Sequence, residues 1–417
     1  MASRIPRQRP HTHLNAALRE TETVTPLELF FDLIFVLAIT QCTALMSHEP
    51  TWSGVGKGLL ALGLLWWAWV GYAWLTSVVD PEEGAVRFAI FAAMAATLVV
   101  TVCIPEAFDD LGLTFALAYA VVRVAHIALF VLGSRGDANL RASVTMLATS
   151  TTIAGGLLVT ASFRHGVAQC VLWAIALLVD IGGPLLFGAA GWKLVPRHFA
   201  ERHGLIVLIA LGESIVAIGV GAEHGIDNGV LAGVVLGMVC IAGLWWSYFD
   251  IAAIITADCL ERAAVGREQN EMARDGYSLL HFPMIAGIVL FAMGMKLTIG
   301  DLGDTPAAVP ATALCGGVAL YYAGHAAFKR RVAGTLGRPR VLLALALAIY
   351  IPVARETPAA VTLVAIAVGV WIVVTYETLT TGSWRRELRH AGHAHLEHEG
   401  GEVGAHPTGS TDAGSEP

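Results

Sequence analysis

Twelve apolar stretches, each near the ~20 residues that cross a ~30 Å hydrocarbon core, divide this chain almost from end to end. They fall at 27–46, 56–79, 86–104, 111–132, 143–161, 168–190, 203–222, 229–249, 277–299, 308–328, 338–354 and 358–378. A backbone in lipid must satisfy its own hydrogen bonds, and runs of this length and character do so as α-helices. The composition agrees. Hydrophobic residues make up 56% and charged residues 14%, against about a quarter charged in a soluble domain. The chain lacks the polar surface to face water all round, so it reads as an all-α polytopic integral membrane protein with about twelve transmembrane helices. The stretch 338–354 is the weakest, since it is short and holds Pro352, and Pro358 opens the next. Two shallow helices there would leave ten crossings.

The basic residues orient the spans. With the N-terminus in the cytoplasm, 21 of the 26 Lys and Arg fall in cytoplasmic segments. The outer loops keep Lys57, Arg164 and Arg355, and Arg123 and Lys296 lie within spans. This is the asymmetry of the positive-inside rule, and it places both termini in the cytoplasm. The basic N-terminus runs into a full-length span with no small-residue cleavage site, so no signal peptide is expected.

The chain also repeats itself. Shifted by 179 residues, Val36-Leu37-Ala38-Ile39 falls on Ile215-Val216-Ala217-Ile218, and Trp66-Trp67 falls without a gap on Trp245-Trp246. Farther on, Phe88 matches Phe282 and His126 matches His325, the growth in offset lying in loops. Six crossings per half make this a parallel repeat. The expected organisation is a basic tail (1–26), a first six-helix repeat (27–190), a cytoplasmic linker (191–202), a second repeat (203–378) and a His-rich, disordered cytoplasmic tail (379–417).

Polar residues inside spans are costly, and they mark either locks between helices or functional sites. Glu28 and Asp32 are four apart in span 1, which places them on one helical face. A carboxylate at Glu28 would also suit the positive helix end. The expectation is that both line a water-accessible vestibule, with Asp32 deeper and more often protonated. Arg123 in span 4 lies near mid-depth and needs a counter-charge, for which Asp180 in span 6 and Glu213 in span 7 are candidates. Such a group is either an ionic lock or a proton relay. His126, Asp250, His281 and His325 lie toward the cytoplasmic end. A His within a bundle commonly just hydrogen-bonds between helices. His281 precedes Phe282-Pro283, which implies a kink or a free carbonyl. Gly204, Gly212, Gly219 and Gly221 suit span 7 to close helix packing, and much of the Trp66, Trp67, Trp69 and Trp74 cluster is expected to be packing. The six scattered cysteines read as small packing residues. No metal or other cofactor is expected: there is no HExxH, and the tail histidines His390, His393, His395 and His398 have no fold to hold them.

Four blocks carry a family resemblance. Pro26-Leu27-Glu28-Leu29-Phe30-Phe31-Asp32-Leu33 and the stretch from Glu201-Arg202-His203-Gly204 to Leu211-Gly212-Glu213 resemble the two signatures of the bacterial low temperature requirement A family. Trp245-Trp246-Ser247-Tyr248-Phe249-Asp250 and His281-Phe282-Pro283 resemble further blocks. His203 stands where the second signature usually has Phe. The resemblance implies a multipass protein of the bacterial inner membrane, tied to growth in the cold and with no agreed biochemical activity. The first span also resembles, in part, the opening helix of two-times-six-helix endolysosomal potassium channels, with Pro26-Leu27-Glu28 replacing the basic residue found there.

Movement of a small solute or ion, in a form that could be proton-coupled, is the leading expectation. The candidate site is Glu28, Asp32, Arg123, His126, Asp180, Glu213, Asp250, His281 and His325. One alternative is a membrane-embedded enzyme acting on a lipid or apolar substrate, using His126, Asp250, His281 and His325. Another is a sensor or scaffold responding to membrane state. The lipid bilayer is the partner the composition demands. No basic folded domain is available for nucleic acid, and a homo-oligomer is compatible with the pattern.

Overall fold

The computed structural model describes residues 23–82, 84–186, 191–223, 225 and 227–380. The basic tail up to residue 22 and the His-rich tail beyond 380 lie outside them. Among the described residues the chain is helical throughout, with no β-strand. The first six helices are α1 (Pro26–His48), α2 (Trp52–Thr76), α3 (Gly84–Cys103), α4 (Gly112–Gly133), α5 (Ala138–Ala161) and α6 (Val167–Leu186). Next come α7 (Pro196–Gly221), α8 (Asn228–Phe249) and two short helices, α9 (Ala252–Arg262) and α10 (Arg267–Met272). The chain ends with α11 (His281–Thr298), α12 (Ala308–Ala333), α13 (Arg338–Ala354) and α14 (Ala359–Thr380). Two compact units divide the chain at Val370. The second contributes only the helical residues 371–380 to the described part, and everything below concerns the first.

Ten of the described helical stretches are long and apolar enough to cross a membrane. Outside that set are α12 and α13, the latter covering the same residues as the weakest sequence stretch. With 26 residues, α12 would reach about 39 Å at 1.5 Å per residue. Most of it is covered by protein. Gly317 and Gly287 meet backbone to backbone across the α11–α12 contact: a Cβ on Gly287 would lie 2.5 Å from the Gly317 carbonyl oxygen. Small residues at a crossing replace lipid-facing bulk. Exposed large apolar side chains, such as Leu33, Phe88, Val102, Val124, Leu178 and Ile349, give the outside of the bundle the surface a bilayer requires.

Two groups of helices meet through a shared centre. Helices α1 and α2 of the first group pack on α7 and α11 of the second. This makes α2 an interior helix: Trp66, Trp67, Trp69 and Trp74 are all buried. Their sequence counterparts on α8, Trp245 and Trp246, are 42% and 36% exposed. The tryptophan pair on which the expected repeat rests therefore stands in different surroundings at its two positions. Helix α7 is also central, touching α1, α8, α9 and α11. Of its glycines, Gly221 makes the closest approach, where a Cβ would lie 2.9 Å from the Lys296 carbonyl oxygen, while Gly212 and Gly219 face open space.

Before α11 the chain winds as a π-helix over Ala273–Leu279. Pro283 accounts for one consequence. A π-type bond to the Ser278 carbonyl would need the N–H of residue 283, which proline lacks. That carbonyl instead accepts from Trp66 Nε1 at 2.8 Å, and the Ser278 hydroxyl accepts from Trp74 Nε1 at 3.0 Å.

Candidate functional site

Of three polar clusters, the first and third lie toward the end of the bundle at which α1 and α7 begin, and the second lies deeper. The first joins α1, α2 and α7. Thr25 caps α1, and its backbone N–H donates to Glu28 Oε2 at 2.9 Å, completing a capping box. The other Glu28 oxygen, Oε1, faces α7, with His198 Nε2 at 2.8 Å and Arg202 Nη1 at 3.3 Å. Arg202 Nη2 donates to Asp32 Oδ1 at 2.5 Å, and Nη1 donates to the Thr76 hydroxyl at 3.1 Å. Trp69 Nε1 donates to the same Asp32 oxygen at 2.9 Å, and the guanidinium lies 5.5 Å from the Trp69 ring. Ser77 holds the far side of His198, Oγ to Nδ1 at 3.1 Å.

This cluster corrects the expected vestibule. Glu28 and Asp32 are each only 2% exposed, and the gap beside Glu28 measures about 10 Å³, room for roughly one water. The reason is Arg202, assigned from sequence to a linker at 191–202. Helix α7 starts at Pro196, seven residues before the expected 203, so His198 and Arg202 are helical and fully buried. Glu28 also takes the capping role that the helix dipole favours, with one oxygen for each task.

The second cluster sits midway along α4. Arg123 Nη2 donates to Asp180 Oδ1 at 3.0 Å and to the Thr151 hydroxyl at 2.9 Å, and Thr151 in turn donates to Asp180 at 2.7 Å. Of the two candidate acids, Asp180 is the partner. Glu213 on α7 instead accepts from the Thr40 hydroxyl on α1. The Arg123–Asp180 pair is closed to solvent, at 2% and 0% exposure, yet Arg123 Nε, Asp180 Oδ2 and both ring nitrogens of His126 form no hydrogen bond among the described residues. A cavity of about 40 Å³ adjoins Arg123 and His126. Its polar lining is Trp67, Arg123, His126, Arg274 and Ser278; Gly71, Trp74, Phe130 and Trp192 are among the residues that wall it.

The third cluster belongs to the second half. Tyr248 OH pairs with His281 Nε2 at 2.9 Å, and His281 Nδ1 meets the Gly276 carbonyl at 3.2 Å. Arg340 Nη1 lies 2.6 Å from His325 Nε2, and Nη2 donates to the Ser247 carbonyl at 3.0 Å. The rings of His281 and His325 both contact Tyr248 and Phe328. His126 packs instead on Tyr72 and Phe130, and Asp250 is half-buried at the end of α8. His203 is enclosed by aromatic rings, with Phe199 at 4.4 Å and Trp69 at 5.0 Å. That environment explains why an aromatic residue could stand in its place. Its Nδ1 meets the Phe199 carbonyl at 2.8 Å.

Sequence reasoning missed His198, Arg202 and Arg340. A signal for the first two existed: two buried acids on one face of α1 require basic partners at the same depth. None of the six cysteines forms a disulfide, and among the described residues no group of three or more His, Cys, Asp or Glu side chains is arranged to hold a metal ion.

The blocks that meet in the first cluster are the two signature stretches. The family model for the bacterial low temperature requirement A protein matches residues 23–375. The chain belongs to this family. An uncharacterized protein of Rhizobium meliloti (strain 1021) is 30% identical over 337 residues, covering 77% of this chain and 80% of that one. No solved structure matches the chain. Family membership and the apolar helices together make this a membrane protein.

Proposed function

We propose that this member of the low temperature requirement A family moves a small solute or ion across the bacterial inner membrane, with both termini in the cytoplasm. The observation that carries the reading is the Arg123–Asp180 pair. A lock that served packing alone would gain by saturating its polar atoms, because each buried orphan costs about 1–3 kcal/mol. Here an arginine nitrogen and an imidazole without a well-formed hydrogen bond adjoin a cavity, and the second carboxylate oxygen of the pair is unsatisfied as well. Unsaturated buried polar groups of this kind suit a site that exchanges partners as cargo passes. Proton coupling is a natural form for it, with His126 and Asp180 as the exchanging groups.

The parallel repeat is part of this proposal. Each half opens with a helix that packs on its own third long helix, α1 on α3 and α7 on α11. Each of those third helices runs into a 3-10 turn, Ile104–Glu106 and Ile299–Asp301. Two similar halves meeting at α1 and α7 would give a rocking interface, and the ionic cluster of Glu28, Asp32, His198 and Arg202 bridges it.

The test is flux. Purified protein in liposomes is given gradients of protons, alkali cations and small anions in turn. The reading predicts passage of one of these classes, and loss of it at normal protein levels when Arg123→Met is combined with Asp180→Asn, which strands no charge. No passage of any class by folded protein would end it.

A further inference from the structure

We propose that the cavity bounded by α2, α4, α5 and the π-helical turn before α11 is a binding site for a small monovalent anion, from halide to formate in size. This names a cargo class for the movement proposed above and rests on that reading.

A few donor-bearing side chains stand in an otherwise apolar lining. Among the described residues Trp67 Nε1 and Arg123 Nε each carry a hydrogen with no acceptor, and the His126 ring, which faces the Gly71 backbone, has neither nitrogen in a well-formed hydrogen bond. All three side chains are at least nine-tenths buried, at 5%, 2% and 1% exposure. Arg274 adds a guanidinium at the edge, 14% exposed. Among the described residues no Asp or Glu lines the space. The balancing carboxylates, Asp180 and Asp275, bind the guanidiniums at 3.0 Å and 2.7 Å without lining the cavity. A cation would meet two positive groups and almost no acceptor.

Water fits this lining poorly. A water molecule brings two hydrogens that need acceptors. The side chains offer one neutral imidazole nitrogen and Ser278 Oγ, which already accepts from Trp74. An anion accepts from every donor and asks for none in return. Size sets the upper limit. On the measure by which about 10–15 Å³ holds one water, about 40 Å³ has room for roughly three, and it falls far below the ~150 Å³ that holds a benzene ring. Walls of Trp74, Phe130, Leu147 and Trp192 favour a weakly hydrated monovalent ion over phosphate or a divalent anion, whose dehydration costs more.

Gly71 makes the space possible. A Cβ there would lie 2.8 Å from His126 Cε1 and 3.0 Å from Arg123 Nη1. Alanine would crowd the two polar side chains that the anion needs.

Bromide is the probe, because it can be located by anomalous diffraction. Crystals of the full chain grown in sodium bromide should show a peak in the cavity within hydrogen-bonding reach of Trp67 Nε1 and Arg123. In detergent, bromide should raise the unfolding temperature saturably relative to gluconate at equal ionic strength. Trp67→Phe removes one donor and keeps the ring, so it should weaken half-saturation by about tenfold or more, with the gluconate baseline unchanged. Gly71→Ala should abolish the bromide effect. An empty or water-filled cavity, or unaltered saturation in Trp67→Phe, would overturn the proposal. The liposome experiment separates the two readings. Bromide bound in the cavity with no flux of any ion removes transport and leaves the site. Cation flux with no bromide bound removes the site and leaves transport.

Discussion

Arg202→Met isolates the energetic role of the cluster between α1 and α7. The substitution keeps an unbranched apolar stem in place but removes the guanidinium. It breaks the 2.5 Å contact to Asp32, the 3.3 Å contact to Glu28 and the 3.1 Å bond to Thr76. Two carboxylates, each 2% exposed, then keep His198 and Trp69 as neighbours but lose their guanidinium. Removing one member of a buried ion pair costs about 3–5 kcal/mol, mostly because a charge is stranded. Two stranded acids put Arg202→Met at the upper end of that range. The triple change Glu28→Gln, Asp32→Asn, Arg202→Met removes every stranded charge while keeping shape. It should lose less than half as much, since replacing a whole buried ionic group is often close to neutral. Arg202→Lys should fall between them, because a single ammonium cannot fork to both carboxylates. Reversible unfolding in mixed micelles measures all three, and the coupling follows from the mutant cycle. A triple variant as unstable as Arg202→Met, or an Arg202→Met with wild-type stability, would refute the argument.

Other predictions follow from the same physics. Arg123→Met should destabilise more than Arg123→Met with Asp180→Asn, as measured by the same unfolding assay; equal losses would mean Asp180 bears no stranded charge. Gly287→Ala should cost about 1–3 kcal/mol, because its methyl group meets the backbone of Gly317 and Tyr321, which cannot swing aside as a side chain would. Gly212→Ala, which faces open space, is its control and should fold as well as the parent. Reporter fusions at 225 and 405 should read periplasmic and cytoplasmic; the same compartment for both would sink the proposed topology.

Much of the fold was legible because apolar length is a direct physical requirement of a bilayer. The residues 338–354 reappear unchanged as α13, and Pro358 does precede a new helix. Legibility fails where a charge abuts an apolar run. Arg202 looks like a loop residue, because a sequence scan ends a span at the first cluster of charges. Whether such a charge faces water or a buried acid depends on what packs beside it, and the partner here is 170 residues away. The Trp pair shows the converse. Identical dipeptides at 66–67 and 245–246 cannot reveal that one helix is surrounded by protein and the other faces outward. His126 was legible as a buried polar residue, but the emptiness beside it was not, because that depends on a glycine of another helix.

The spacing of the first cluster carries one more consequence. Glu28 and Asp32 are four residues apart, and so are His198 and Arg202, so each pair forms a ladder along one helix face. The rungs match in chain order: Glu28 meets His198 at 2.8 Å, and Asp32 meets Arg202 at 2.5 Å. Ladders that pair in the same order require helices running in the same direction. Helices running oppositely would set Glu28 closest to Arg202 and Asp32 closest to His198. The observed contact of Arg202 with Glu28 is the longer one, at 3.3 Å. Helices α1 and α7 therefore enter the bundle from the same side, which requires an even number of crossings from α1 through α6. The count of Lys and Arg leads to the same relation from loop charges alone. The ladder reaches it from buried side chains, among them Arg202, which the loop count had placed in water.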